Sequence, residues 1–243
     1  MVSSNIAKSL LEMSLIAGLL GFSSASFGDE ETGKTLTIMF RAARSVLLDK
    51  KIVDLNKNPK SVGLEMAEAQ KSLEKKYLSL TGRKLEIDTD AARVMKMAID
   101  QVFENAFTGK YRDKWATTKH YPGKLLPARF AREVGQKLKE FSGGKYELHV
   151  TTFEDCLVNP DNKPDSWEKI QMSKKFATKS WERGKGFYQT LAKENEARYI
   201  NPEYYDASCL NCHGGDPGKI IHPNCPNKEL GEFAGAISIV MKE

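Results

Sequence analysis

Apolar residues recur at helical spacing through the first half of the chain and alternate with polar ones in parts of the second. Leu36, Met39, Phe40, Ala43 and Leu47 share one side of a 3.6-residue repeat, which predicts an amphipathic helix from Lys34 to about Asp54. Asn58-Pro59-Lys60-Ser61 interrupts it. A second helix is predicted over Leu64–Leu80, with Leu64, Ala67, Leu73, Tyr77 and Leu80 near one stripe and Gly82 as its stop. A third runs from about Asp90 to Phe107, with Asp88-Thr89-Asp90 in front and Gly109 behind. Pro127 opens a fourth, through Phe141, which Gly143-Gly144 ends.

The pattern then changes period. Tyr146, Leu148 and Val150 alternate with Glu147, His149 and Thr151, which predicts a strand. Asn159-Pro160-Asp161-Asn162-Lys163-Pro164 is a turn-rich loop, and Asp165 and Glu168 stand where they would cap a short helix to about Lys179. Phe187–Ala192 and Ala197–Ile200 read as a hairpin around 193–196. Phe233–Met241 is apolar on both faces, as a central strand should be. Helices first, then a small antiparallel sheet with a helix across it, make an α+β protein.

The first 28 residues read apart from this. Lys8 precedes an uncharged apolar run, Met13–Phe22, and Ser23–Gly28 supplies small residues suited to cleavage. The run is about half the length that a membrane span requires. An exported, periplasmic protein, soluble after signal cleavage, is expected, with one domain over residues 29–243. Composition agrees: 40% hydrophobic and 28% charged residues exclude disorder throughout, and a net charge of +5 is too mild to argue for nucleic acid. The basic, aromatic stretch 109–124 is accordingly read as a solvated connection.

The candidate chemistry lies in Cys209-Leu210-Asn211-Cys212-His213. Two thiols spaced by two residues with His directly after is the attachment pattern of c-type haem. Each cysteine forms a thioether with a vinyl group, and the adjacent imidazole takes the iron as proximal ligand. Chance gives only about 0.001 such matches in a chain of this composition. A thioredoxin-like dithiol would need a βαβ context that the neighbouring strands do not offer. A structural zinc site remains as an alternative, because Cys209, Cys212, His222 and Cys225 make four possible ligands, but it leaves His213 idle. Cys156 and Cys225 are read as a disulfide pair in preference to an axial thiolate from either. His149, His120 and His222 are weaker candidates for any role.

Cys209–Pro217, the Asn159–Pro164 loop with Trp167-Glu168, Leu126-Pro127-Ala128, Ala42–Val46 and Gly231–Ile237 together resemble a family of exported single-haem c proteins. The resemblance runs from about residue 34 to the C-terminus. It implies a PAS-like fold, found alone or as the sensor part of histidine kinases and chemoreceptors. Members usually carry Arg before the Asn-Pro loop where this chain has Val158, so another cation, Arg129, Arg132 or a lysine, would have to meet a haem propionate. The segment 83–124 has no counterpart in the pattern and is expected as a helical insertion that covers the haem or meets a partner.

The resemblance also implies a distal side facing the N-terminal helices. Met39 leads the candidates for the iron's sixth position, although a methionine on an apolar stripe is more often core. Met95, Met97, His120 and Cys156 follow, and an open site stays possible. Saturated iron suits an electron carrier and an exchangeable site suits a sensor of redox state or a diatomic gas. The expected partner is a redox or signalling protein. With the two propionates the charge falls to about +3, which suits weak docking on an acidic partner. A homo-oligomer is possible. A haem enzyme acting on peroxide or nitrogen oxides ranks below these, since nothing in the sequence sets an acid–base group beside the iron.

Overall fold

The computed structural model describes residues 28–47, 66–107, 127–221, 223–225 and 227–243. Helix α1, Glu30–Leu47, begins earlier than the periodicity predicts because Asp29 caps it: its carboxylate accepts from the Thr32 N–H at 2.8 Å and hydroxyl at 2.7 Å. Its predicted stripe, Leu36, Met39, Phe40, Ala43 and Leu47, is buried throughout. The predicted extension to Asp54 and the 1–27 leader lie outside the described residues. Helix α2, Met66–Thr81, presents a different stripe from the expected one. Ala69 and Leu73 are buried, Met66 and Tyr77 pack beside them, and Ala67 and Leu80 are exposed. The helix ends on Gly82, whose φ is +69°.

Helices α3, Asp90–Phe107, and α4, Pro127–Phe141, have the predicted bounds. The Thr89 hydroxyl accepts from the Ala92 N–H at 3.1 Å at the start of α3. The α3 helix carries Met95, Ile99, Val102 and Phe103 into the core, and only its outer side, with Met97 48% exposed, is open to a partner. The rest of the expected 83–124 insertion, residues 108–124, lies outside the described residues.

Four antiparallel strands follow, in the order β1-β4-β3-β2: β1 Tyr146–Thr151, β2 Phe187–Leu191, β3 Glu196–Tyr204 and β4 Phe233–Lys242. The β4 strand is central, as its two-sided apolar pattern requires. The β3 strand runs four residues past the expected Ile200, through Pro202. The β2 ladder ends opposite Ile200, so beyond it β3 pairs only with β4 and has a free edge, where proline is tolerated. Helix α5, Ser166–Gln171, has the full capping box between Asp165 and Glu168. It runs on as a π turn, Met172–Phe176, and stops short of the expected Lys179.

The sheet therefore divides two apolar layers. Ala197, Tyr199, Ile237, Ile239 and Met241 meet the α1–α4 layer, while Ile200 and Ala236 meet Met172 and Phe176. Phe130 stacks between Phe40 and Phe103, at 6.0 and 5.7 Å between ring centroids. The α4 helix approaches β1 so closely that a Cβ on Gly135 would lie 2.6 Å from the Leu148 carbonyl oxygen. The architecture is α+β, a four-stranded antiparallel sheet with flanking helices, four of them, among the described residues, ahead of it in the chain. Among the described residues no helix is long and apolar enough to cross a membrane.

Candidate functional site

The cysteine–histidine motif forms one short helical turn, α6, Leu210–His213, which is followed by α7, Gly215–Ile221. A local turn sets it up. Asp206 Oδ1 accepts from the Ser208 N–H at 2.7 Å, the Ser208 hydroxyl at 2.6 Å and the Cys209 N–H at 3.0 Å. Burial would raise this carboxyl's pKa, but those hydrogen bonds outweigh it and hold it below the usual value, so it stays an acceptor. The His213 N–H then donates to the Cys209 carbonyl at 3.0 Å, and positions 209 and 213 stand four residues apart on one side of the turn.

The His213 imidazole lies beside the Tyr205 ring, centroids 5.3 Å apart. Tyr205 is buried, and burial, with the charges of Glu232 and Cys209, pushes its hydroxyl up to about 12. Its backbone is tied to the approach to β4 by Tyr205 N–H to Glu232 O at 2.9 Å and Gly231 N–H to Tyr205 O at 2.7 Å. From the same loop the Lys228 N–H donates to the His213 carbonyl at 3.1 Å. A Cβ on Gly218 would lie 2.3 Å from that carbonyl, so α7 can lie against α6 only with glycine there.

Cys209 is half-buried and outside any disulfide. Burial chiefly pushes its thiol up, with Asp206 acting in both directions and Arg44 pulling it down. Such a thiol is a poor nucleophile at neutral pH, which argues against a dithiol redox catalyst. Arg44 belongs to a clasp between α1 and the end of β3. Arg41 Nε donates to Glu203 Oε1 at 2.5 Å, Arg41 also donates to the Pro202 carbonyl at 2.8 Å, and Arg44 pairs with the other Glu203 oxygen. Burial of Glu203 is outweighed by the charges of Arg44 and Arg41, which keep it ionised.

Cys156 and Cys225 form the expected disulfide, Cα atoms 5.0 Å apart. That bond closes two of the alternatives. Cys225 is not available to a zinc site with Cys209, Cys212 and His222, and Cys156 is not available as an axial thiolate. His222 and His120 lie outside the described residues. Met39 and Met95 are both fully buried in the helix-side core, a cluster that Tyr205 does not join. The described residues thus bring Cys209 and His213 together and leave Met39 as a core side chain. Of the cations considered for a propionate, Arg132 lies 3.7 Å from Asp161, and Arg129 has its buried Nη1 without a hydrogen-bond partner. His149, read as a satisfied or surface histidine, pairs with Glu168.

Asp206, Tyr205 and the Arg41–Arg44–Glu203 clasp were not among the sequence candidates. Asp206 carries a local signal, an Asp two residues ahead of a Ser at the mouth of a helix. The clasp carries none, since its partners are 159 and more residues apart.

The Tll0287-like family matches residues 56–242 of this sequence. The chain belongs to the Tll0287-like family. The match covers most of the described fold, from ahead of α2 through β4, and includes the cysteine–histidine turn and both halves of the disulfide. It bears out the family recognised from the motifs. The chain is also similar to a solved structure described as that of the cyanobacterial haem protein Tll0287, with 17% identity over 61% of this chain and 92% of that one, at a TM-score of 0.35. No curated protein matches.

Proposed function

We propose that this member of the Tll0287-like family is an exported c-type cytochrome that holds one haem c through thioethers to Cys209 and Cys212, with His213 as the proximal iron ligand, and that it works as a redox protein. The observation that carries the reading is the turn itself: the attachment motif occupies one helical turn whose start Asp206 holds, with a disulfide-free Cys209 and the His213 ring set against Tyr205. The donor set suits the group, because Cys209 lies outside any disulfide and His213 stands four positions on, on the same side of the turn. The Cys156–Cys225 bond suits an oxidising compartment and so supports export.

When bound, haem c supplies a one-electron iron couple at this turn. The protein's own contribution is position. Asp206 holds the start of the turn, Lys228 and Gly218 hold its end against α7, and Tyr205 limits the swing of the imidazole. Electron transfer is the leading role and sensing of redox state or a diatomic gas, on a PAS-like frame, the second. A catalytic haem ranks below both.

The test is a haem stain after denaturing electrophoresis of protein exported with a working c-haem maturation system. The native chain is expected to stain and the Cys209→Ala, Cys212→Ala double variant to lose the signal. A native chain without haem bands would overturn the reading. Absorption spectra with carbon monoxide and nitric oxide then separate the roles: a spectrum indifferent to both gases supports the carrier, and a prompt shift supports the sensor.

A further inference from the structure

Between α5 and β2 the chain carries Lys174, Lys175, Lys179, Arg183 and Lys185 against the single carboxylate of Glu182. These twelve residues hold a net charge of +4, where the whole chain has +5. Lys174, Lys179, Arg183 and Lys185 are exposed. Glu182 meets Lys185 only at 3.8 Å and in open solvent, where a pair neutralises little.

The cations stand on a stacked aromatic base. Lys175 Nζ lies 4.2 Å over the Phe187 ring and 5.1 Å over Trp181, and Arg183 lies 3.9 Å over Tyr204. Trp181 packs edge-on against Phe176 and Phe187, and its indole N–H donates to the Lys185 carbonyl at 2.8 Å. These contacts hold the backbone and two of the charges in place before any partner arrives, so docking forfeits less side-chain freedom. One end of the surface adjoins the attachment turn: Tyr204, beneath Arg183, is followed by Tyr205, the neighbour of His213.

We propose that the surface formed by residues 174–185 is the docking face for a protein partner with an acidic face. The rings here are engaged with one another and with the cations. The surface therefore offers fixed charge rather than free apolar side chains that would insert between lipids, and carboxylates on a protein are its complement. That the partner is an electron carrier rests on the redox reading above; the acidic docking does not.

The test compares the full-length exported chain with two variants of equal net charge. One is Lys174→Glu, Lys179→Glu, Lys185→Glu; the other is Lys71→Glu, Lys75→Glu, Lys84→Glu, at exposed lysines on and just after α2. Binding is read by anisotropy with labelled polyglutamate, and by sedimentation with phosphatidylglycerol vesicles. The first variant is expected to bind polyglutamate about tenfold or more weakly and the second within about twofold of the native chain, with native binding lost near about 0.5 M salt. Equal weakening in both variants would reduce the effect to net charge and overturn the proposal. No weakening in the first would do so too. Vesicle binding that depends on 174–185, without polyglutamate binding, would make this a lipid surface instead. A haem stain on the same samples keeps the two readings apart: a native chain that lacks haem sinks the cytochrome, while the polyglutamate result still decides the docking face.

Discussion

His149 is a partly exposed imidazole bonded to a carboxylate that is 2% exposed, with Nδ1 lying 3.0 and 3.1 Å from the two Glu168 oxygens. The same Glu168 closes the capping box of α5, so one side chain ties β1 to the helix on the far face of the sheet. Burial by itself would lower the His149 pKa, but the hydrogen bond and charge of Glu168 outweigh it and hold the imidazole above its ordinary 6.5. A folded-state pKa raised in this way gives stability that is fully present below the unfolded value and is lost as pH rises through the folded one. The urea midpoint of the native protein should therefore fall as pH is taken upward from about 6.5, and His149→Gln should remove that slope. A slope unchanged in the variant would assign the titration to another group.

Between elements, the Cys156–Cys225 bond joins the loop after β1 to the loop between α7 and β4, across 69 residues that include β2, β3 and the cysteine–histidine turn. Closing a loop of that size in the unfolded chain corresponds to about 4 kcal/mol in the chain-entropy treatment. The Cys156→Ser, Cys225→Ser double variant is expected to lose roughly that much stability in urea titration. A loss below about 1 kcal/mol would mean that the bridge constrains little in the folded protein. The Arg41–Arg44–Glu203 clasp works at the same scale, holding α1 to the end of β3 a few residues ahead of Cys209. The clasp is partly buried, so removing Glu203 would leave two partly desolvated cations with no carboxylate between them.

For the molecule as a whole, Phe130 is the side chain through which α1, α3 and α4 share one core, since it is fully buried between Phe40 and Phe103. Phe130→Ala should cost roughly 3–5 kcal/mol, a large part of what a domain of this kind has. Thermal unfolding followed by circular dichroism checks it: a shift of only a degree or two would mean that the helices do not depend on this junction. The docking proposal places its chemistry on the opposite side of the sheet from this layer, and the cytochrome proposal at the β3–α6 junction, which the Arg41–Arg44–Glu203 clasp ties to α1.

The bounds of α3, α4 and β1 were legible because the signals that set them are local: Thr89 and Gly143-Gly144 at helix ends, and an alternating run for β1. The capping box of α5 and the central place of β4 were legible for the same reason. On α2 the stripe was misplaced, since Ala67 and Leu80 fit the period as well as Ala69 and only packing on α1 selects between them. The length of β3 was hidden by Pro202, which ends a strand in isolation but not one with a free edge.

By itself the sequence determined the α+β class, the cysteine–histidine motif at 209–213 and the family, because each is read from short local patterns and their order along the chain. Only the tertiary structure decided between the disulfide the sequence favoured and the zinc alternative for Cys225, buried Met39 in the helix-side core, and brought Arg41 and Arg44 together on Glu203. Those outcomes depend on which distant segments share a face of the sheet, and no local pattern carries that information.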